Sequence, residues 1–173
     1  MKKKSLLDSF ALLTYLNKED GFEKVRRLLA DAQSSRQSVL MNELNVGETY
    51  WIIHRKCGRE QAEYFLGPVL KGLPISVISN NFDAVISAAK IKARYALSFA
   101  DCFAVATAQR ESAVVLTGDP EFKNVAELVE IEWLVWRGEG EKMRGWGSGR
   151  SALCAMPNAH RPQPAPQNFT KHI

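Results

Sequence analysis

Short apolar runs alternate with stretches of helical spacing through the first 136 residues. Ser5-Leu6-Leu7, Val39-Leu40-Met41 and the segments 74–78, 113–117 and 129–133 read as strands, each too short for a stable helix and rich in Leu, Ile and Val. Between them lie helical patterns. Phe10, Leu13, Tyr15 and Leu16 mark a short helix, and Phe22, Val25, Leu28 and Leu29 mark one within 19–33. Leu44, Tyr50, Trp51 and Ile53 mark a long helix that Gly58 stops after Cys57. Further helices are predicted over 59–70, 81–94 and 98–110, and no internal repeat is visible. Continuous apolar strands separated by helices predict a three-layer α/β/α domain around a central parallel sheet of about five strands.

The pattern stops at Trp136. Residues 137–173 hold five of the 11 glycines and four of the seven prolines, without helical or strand period, and read as a disordered tail. The chain therefore divides into a folded domain, 1–136, and a basic Gly/Pro-rich tail, 137–173. The charge divides at the same place. The domain carries 17 basic and 17 acidic residues and the tail 6 and 2, so the whole net charge of +4 sits in the tail. The basic balance is thus no sign that the folded body binds nucleic acid.

Composition is otherwise that of a globular protein, 46% hydrophobic and 24% charged. No run of about 18 apolar residues is present, so no membrane span is predicted. Asp8 interrupts the segment after the initial lysines and no small-residue cleavage site follows, so export is not expected. Cys57, Cys102 and Cys154 are odd in number, widely spaced and without a C-x-x-C pair. They read as unpaired thiols in a reducing, cytoplasmic setting, with no zinc module. The tryptophans and phenylalanines read as core.

In a parallel sheet, sites form at the carboxyl ends of strands. The polar residues found there are acids. Asp8 follows the first strand; an N-cap is its bland role, but Ser9 can serve that role and leave Asp8 to the crevice. Asp101 lies in Phe99-Ala-Asp-Cys-Phe-Ala-Val-Ala-Thr-Ala-Gln109, sharing a helix face with Ala104, Val105 and Ala108. A capping box with Ser98 explains its position but not the small apolar residues around it. Those residues let neighbouring elements approach closely. Glu43 and Glu48 stand about 140° apart on one helix, so only one can face a given point. Glu43 follows Asn42, a predicted N-cap, and suits the helix dipole. Glu48, on the face of Leu44, Trp51 and Ile52, is the preferred site residue. Asp119, in Thr117-Gly-Asp-Pro-Glu-Phe122, fits either a turn or a site, with Thr117 as a supporting hydroxyl and Glu121 as a first-turn helix acid.

Other chemistries fit poorly. His54 sits beside Arg55 and Lys56 on a solvated face, and His160 and His172 fall in the tail. No zinc-protease helix, phosphate loop or Ser-His-Asp set occurs. Cys102 reads as a small core residue. Four converging carboxylates without a basic partner repel one another, and a hard divalent cation relieves that repulsion. Oxygen ligands suit Mg²⁺ or Mn²⁺, and such a site performs phosphodiester or phosphoryl chemistry.

Four motifs then coincide: Leu6-Leu-Asp8-Ser-Phe10, Asn45-Val-Gly-Glu48-Thr-Tyr-Trp51, Leu97-Ser-Phe-Ala-Asp101-Cys-Phe-Ala-Val-Ala-Thr-Ala108 and Leu116-Thr-Gly-Asp119-Pro-Glu-Phe122. In order and spacing this set resembles the PIN-domain ribonucleases, and within them the VapC-type toxins of toxin–antitoxin modules. The resemblance covers roughly residues 4–135. It implies a PIN-like fold in which Asp8, Glu48, Asp101 and Asp119 bind one or two Mg²⁺ or Mn²⁺ ions, Asp8 and Asp101 closest to the first metal and Thr117 in support, and in which a metal-activated water cuts RNA. It further implies a homodimer silenced by a cognate antitoxin. Phe10 departs from the family, where a polar residue such as Asn is common, and so does Asn42, where Ser or Thr is common. Two basic clusters, Arg55-Lys56 with Arg59 and Lys90 with Lys92 and Arg94, are candidates for RNA contact. The rival readings are a non-catalytic PIN-fold module that binds a partner or operator, and a haloacid-dehalogenase-like phosphatase. The latter needs a second Asp where Phe10 stands.

Overall fold

The sheet forms because short apolar segments pack side by side, the central ones largely buried and the edge ones half-buried. In the computed structural model, which describes residues 3–35, 39–134 and 154, β1 (Lys4–Leu7), β2 (Val39–Asn42), β3 (Ile75–Ile78), β4 (Ala113–Thr117) and β5 (Ile131–Trp133) make one sheet in the order β3-β2-β1-β4-β5. Every pairing is parallel. Alternation sorts the side chains. Leu6, Leu40 and Val115 face α6 (Phe82–Lys92) and α7 (Phe99–Glu111), where Phe103, Ala104 and Ala108 close the core. Leu7, Val39 and Leu116 face α2 (Phe22–Ser34), while Met41 packs with Leu12 and Leu13 of α1 (Ser9–Asn17) and Val46 and Ile53 of α3 (Glu43–Cys57). The result is the expected three-layer α/β/α fold.

The strand order reverses at β1, whose neighbours are β2 and β4. The crossovers leave to opposite sides there, and a crevice opens at the carboxyl ends of β1 and β4. Register decides who meets in it. Leu7 stands opposite Leu116, so the next residues, Asp8 and Thr117, come side by side.

Several expectations are corrected. The helix predicted over 59–70 is broken: α4 (Arg59–Tyr64) passes through a π-helical turn at Phe65–Val69 into α5 (Leu70–Gly72), because Pro68 lacks the amide an α-helix needs. Phe65, Phe103 and Phe122 are core, but Trp51, Phe82 and Phe99 are exposed. A disulfide joins Cys57 to Cys154, with Cα atoms 5.1 Å apart, so only Cys102 is a free thiol. Spacing along the chain misled here, since a sequence separation of 97 carries no information about distance in space. No helix among the described residues is long and apolar enough to cross a membrane. The predicted disorder of 137–173 falls, Cys154 apart, outside the described residues.

Candidate active site

Asp8 is the N-cap of α1: its Oδ1 accepts from the Ala11 amide at 2.8 Å, and its Oδ2 accepts the Thr117 hydroxyl. The division of labour expected from the sequence is thus reversed. Asp8 caps the helix and faces the crevice with its second oxygen, while Ser9 turns its hydroxyl to Glu48. Thr117 is fully buried and works in both directions, donating to Asp8 and accepting the Asp119 amide at 2.9 Å. Asp119 in turn caps the 3₁₀ turn Pro120–Val125 through the Glu121 amide at 2.8 Å.

From the other layer comes Asp101, in the first turn of α7. Ser98 caps that helix through the Asp101 amide at 3.1 Å and donates its hydroxyl to the Asp101 carboxylate at 2.6 Å. The capping role and the site role coexist, because Asp101 is 6% exposed and its helix face is otherwise Ala104, Val105 and Ala108, all buried. On α3, the buried residues are Asn45, Val46, Thr49 and Ile53, not Leu44 and Trp51. Glu48 sits at the border of that face, beside Ile52. Glu43 points elsewhere. Its carboxylate accepts the Asn80 amide at 2.8 Å and the Asn80 side chain at 3.1 Å, which holds it below the usual carboxylate range.

These groups line one crevice of about 210 Å³, made by Asp8, Ser9, Phe10, Leu13, Glu48, Ile52, Ser98, Asp101, Asp119 and Glu121. It brings together Asp8, Glu48, Asp101 and Asp119, with Thr117 buried beneath. The sequence reading passed over Ser9 and Glu121 as lining groups. Ser9 follows Asp8 directly, and Glu121 follows Asp119 by two, so proximity to a chosen acid was the available signal. Gly118 is required by a close approach: a Cβ there would lie 2.3 Å from the Phe10 ring.

Crowding of acids shows in their protonation. Burial pushes the Asp8 carboxyl well above its ordinary value, against the Thr117 and Ala11 hydrogen bonds, and the Asp101 and Asp119 charges add to the rise. Burial also raises Asp101, to about 7; the Ser98 hydroxyl opposes this, while Glu48, Asp119 and Glu121 reinforce it. As the side chains stand, no group of three or more carboxylates, imidazoles or thiolates among the described residues is gathered closely enough to hold a metal ion. Asp8, Glu48 and Asp101 are each turned to a neighbouring hydroxyl. The donors themselves fit a hard divalent cation: they are carboxylate and hydroxyl oxygens whose mutual repulsion such a charge removes.

A family model for the PIN domain matches residues 5–128. The chain belongs to the PIN domain family. That span contains all four motifs, and the assignment removes the dehalogenase-like reading. No curated protein matches the chain. Among solved structures, this PIN domain is similar to a DNA-bound VapBC of Salmonella typhimurium, at TM-score 0.60 and 16% identity over 78% of this chain and 100% of that one. It is also similar to VapBC2 of Rickettsia felis bound to a promoter DNA fragment, at TM-score 0.59 and 14% identity over 77% and 98%. A third is VapC20 of Mycobacterium tuberculosis, described as a toxin cleaving the sarcin–ricin loop, at TM-score 0.57 and 17% identity over 70% and 95%. At such identities the likeness is one of fold.

Proposed function

We propose that this PIN domain is a metal-dependent endoribonuclease, the VapC-type toxin of a toxin–antitoxin pair. One observation carries the reading: five carboxylates from four different segments, Asp8, Glu48, Asp101 and Asp119 with Glu121, line a single crevice at the switch point of a parallel sheet. Asp8, Asp101, Asp119 and Glu48 would hold Mg²⁺ or Mn²⁺. When bound, the cation supplies a Lewis acid that activates water and neutralises the scissile phosphate. The residues of this chain do the rest. Thr117 fixes Asp8 relative to Asp119, Ser98 fixes Asp101, and Ser9 fixes Glu48. Leu13 and Ile52 wall the crevice with apolar surface, which strengthens electrostatics inside it. RNA is held from outside by Arg55, which continues the α3 face of Glu48 and Ile52, with Lys56 and Arg59 nearby. The proposed partners are RNA, a cognate antitoxin and a second copy of the chain. The proposed setting is the cytoplasm, where RNA is at hand.

The test is incubation of the full chain with folded RNA, with Mn²⁺ or Mg²⁺ or with EDTA. Cutting that needs the cation supports the reading. The rival, a PIN-fold binding module, is favoured by the separation of the acid side chains from a common ligand point. Binding of RNA or operator DNA without cutting, with the cation present, would decide for it.

A further inference from the structure

The chain buries two asparagines where α3 begins, and they differ in their partners. Asn42 is fully bonded. Its Oδ1 accepts the Leu44 amide at 2.9 Å and the Asn80 side chain at 3.0 Å, and its Nδ2 donates to Asn80 and to Thr107, each at 2.8 Å. Asn45 is 0% exposed, yet neither its Oδ1 nor its Nδ2 has a hydrogen-bond partner. Among the described residues it is the one buried polar side chain left in this state. Thr49, one turn on, bonds back to the Asn45 backbone carbonyl at 2.8 Å and does not serve the side chain. A buried amide without partners is costly, and an apolar side chain of the same size would remove the cost. Such an orphan calls for a role beyond packing.

Its position supplies one. Helix α3 packs along α7. Asn42 meets Thr107 at one end of the contact, and Glu48 and Asp101 line the crevice at the other. The two members on α3 stand as far apart as the two on α7, so the helices run antiparallel and Asn45 falls level with Ala104. The α7 face there is Ala104, Val105 and Ala108, all buried, with no side chain to bond an amide. The polar group on that face is Asp101, one turn toward the crevice, about 4.5 Å along the axis. Ile52, two turns beyond Asn45 on the same side of α3, walls the crevice. In the described arrangement the Asp101 carboxylate takes the Ser98 hydroxyl instead.

We propose that Asn45 is a positioning residue for Asp101: its Nδ2 donates to the Asp101 carboxylate when that carboxylate turns from Ser98 to hold a cation in the crevice. The inference rests on the cation site proposed above. An amide suits the place. It donates a hydrogen bond without bringing a positive charge that would compete with the cation, and without adding to the repulsion among the acids. A partner that holds the free oxygen of a ligating carboxylate fixes its orientation and strengthens metal binding about 10- to 100-fold.

Calorimetric titration of the full chain with Mn²⁺, with chemical denaturation in EDTA beside it, tests the role. Asn45→Leu keeps the volume and removes the orphaned amide. It is expected to bind Mn²⁺ at least about tenfold more weakly, while being no less stable than the original in EDTA. A residue that only packs would give the reverse, altered stability with affinity intact. Asn45→Ala cannot overfill the site and is expected to show the same loss of affinity. A second readout is the Asn45 side-chain amide in a ¹⁵N-labelled chain, assigned by its absence from Asn45→Leu. Its signal is expected to move downfield on addition of Mg²⁺ and to stay in place in Asp101→Asn. Unchanged Mn²⁺ affinity in both Asn45 variants, or an amide signal that stays in place while Mg²⁺ binds, overturns the inference and leaves the cation site standing. An unsubstituted chain that binds neither cation overturns both.

Discussion

Asp101 shows what a single carboxylate costs and contributes. An unfolded Asp titrates near its ordinary value of about 3.9, whereas in the fold Asp101 titrates at about 7. Between those values the folded chain keeps a proton that the unfolded chain has lost, so metal-free protein loses stability as pH rises through this window. Asp101→Asn removes the penalty. In EDTA it is expected to raise the unfolding free energy at pH 8 by at most about 4 kcal/mol, and the melting temperature with it, and to give no gain at pH 4. A cation competes for the same oxygens, so the thermal stabilisation of the unsubstituted chain by Mn²⁺ should grow as pH rises through about 7. Melting curves across pH check both signs, and the opposite trend would count against the burial described for this residue. Thr117 makes the complementary case. Thr117→Val keeps the shape, deletes the donor to Asp8 and leaves the Asp119 amide without its acceptor. The expected loss is about 1–3 kcal/mol, read by chemical denaturation, together with at least a tenfold fall in cleavage rate.

Elements place these residues, and they were only partly legible in advance. Strand positions and helix caps could be read because each is local: Asn42 caps α3 and Ser98 caps α7 as their residue types predict. What was misread depended on tertiary contact. The buried side of α3 was assigned from Leu44 and Trp51, which are exposed, while the polar Asn45 and Thr49 face inward. Apolar periodicity could not reveal this, since the buried face mixes Asn45 and Thr49 with Val46 and Ile53. Glu48 was chosen over Glu43 partly on that mistaken face, and it is the Asn80 clamp that turns Glu43 away. Along α3, Glu48, Ile52 and Arg55 succeed one another on one side, from the crevice outward. Arg55→Ala is therefore expected to raise KM for RNA several-fold and flatten its salt dependence, with kcat little changed. Steady-state cleavage at two salt concentrations measures this. An unchanged KM would remove Arg55 from the RNA path.

Over the whole molecule, the sheet order legislates where chemistry occurs. Reversal at β1 brings the ends of β1 and β4 together, and α7 from the opposite layer delivers Asp101 to the same opening. That convergence was legible as four acids, two after strands and two on helices; the strand order was not, because the connection from β3 to β4 carries two helices and passes over two strands. The Cys57–Cys154 link was not legible, because nothing local announces a contact 97 residues apart. A cytoplasmic setting predicts that both cysteines are thiols in the cell. Alkylation of protein taken directly from cells, followed by mass spectrometry, reads their state, and an intact disulfide there would contradict that setting. The central claim is that the acid crevice cuts RNA with a bound cation. The most direct measurement compares the full chain with its Asp101→Asn variant in one RNA cleavage assay, with Mn²⁺ and with EDTA, after melting curves have shown both proteins folded. The account predicts cutting by the unsubstituted chain with Mn²⁺ alone and a loss of at least about 100-fold in the variant. Equal cutting by both proteins, or cutting that persists in EDTA, would contradict it.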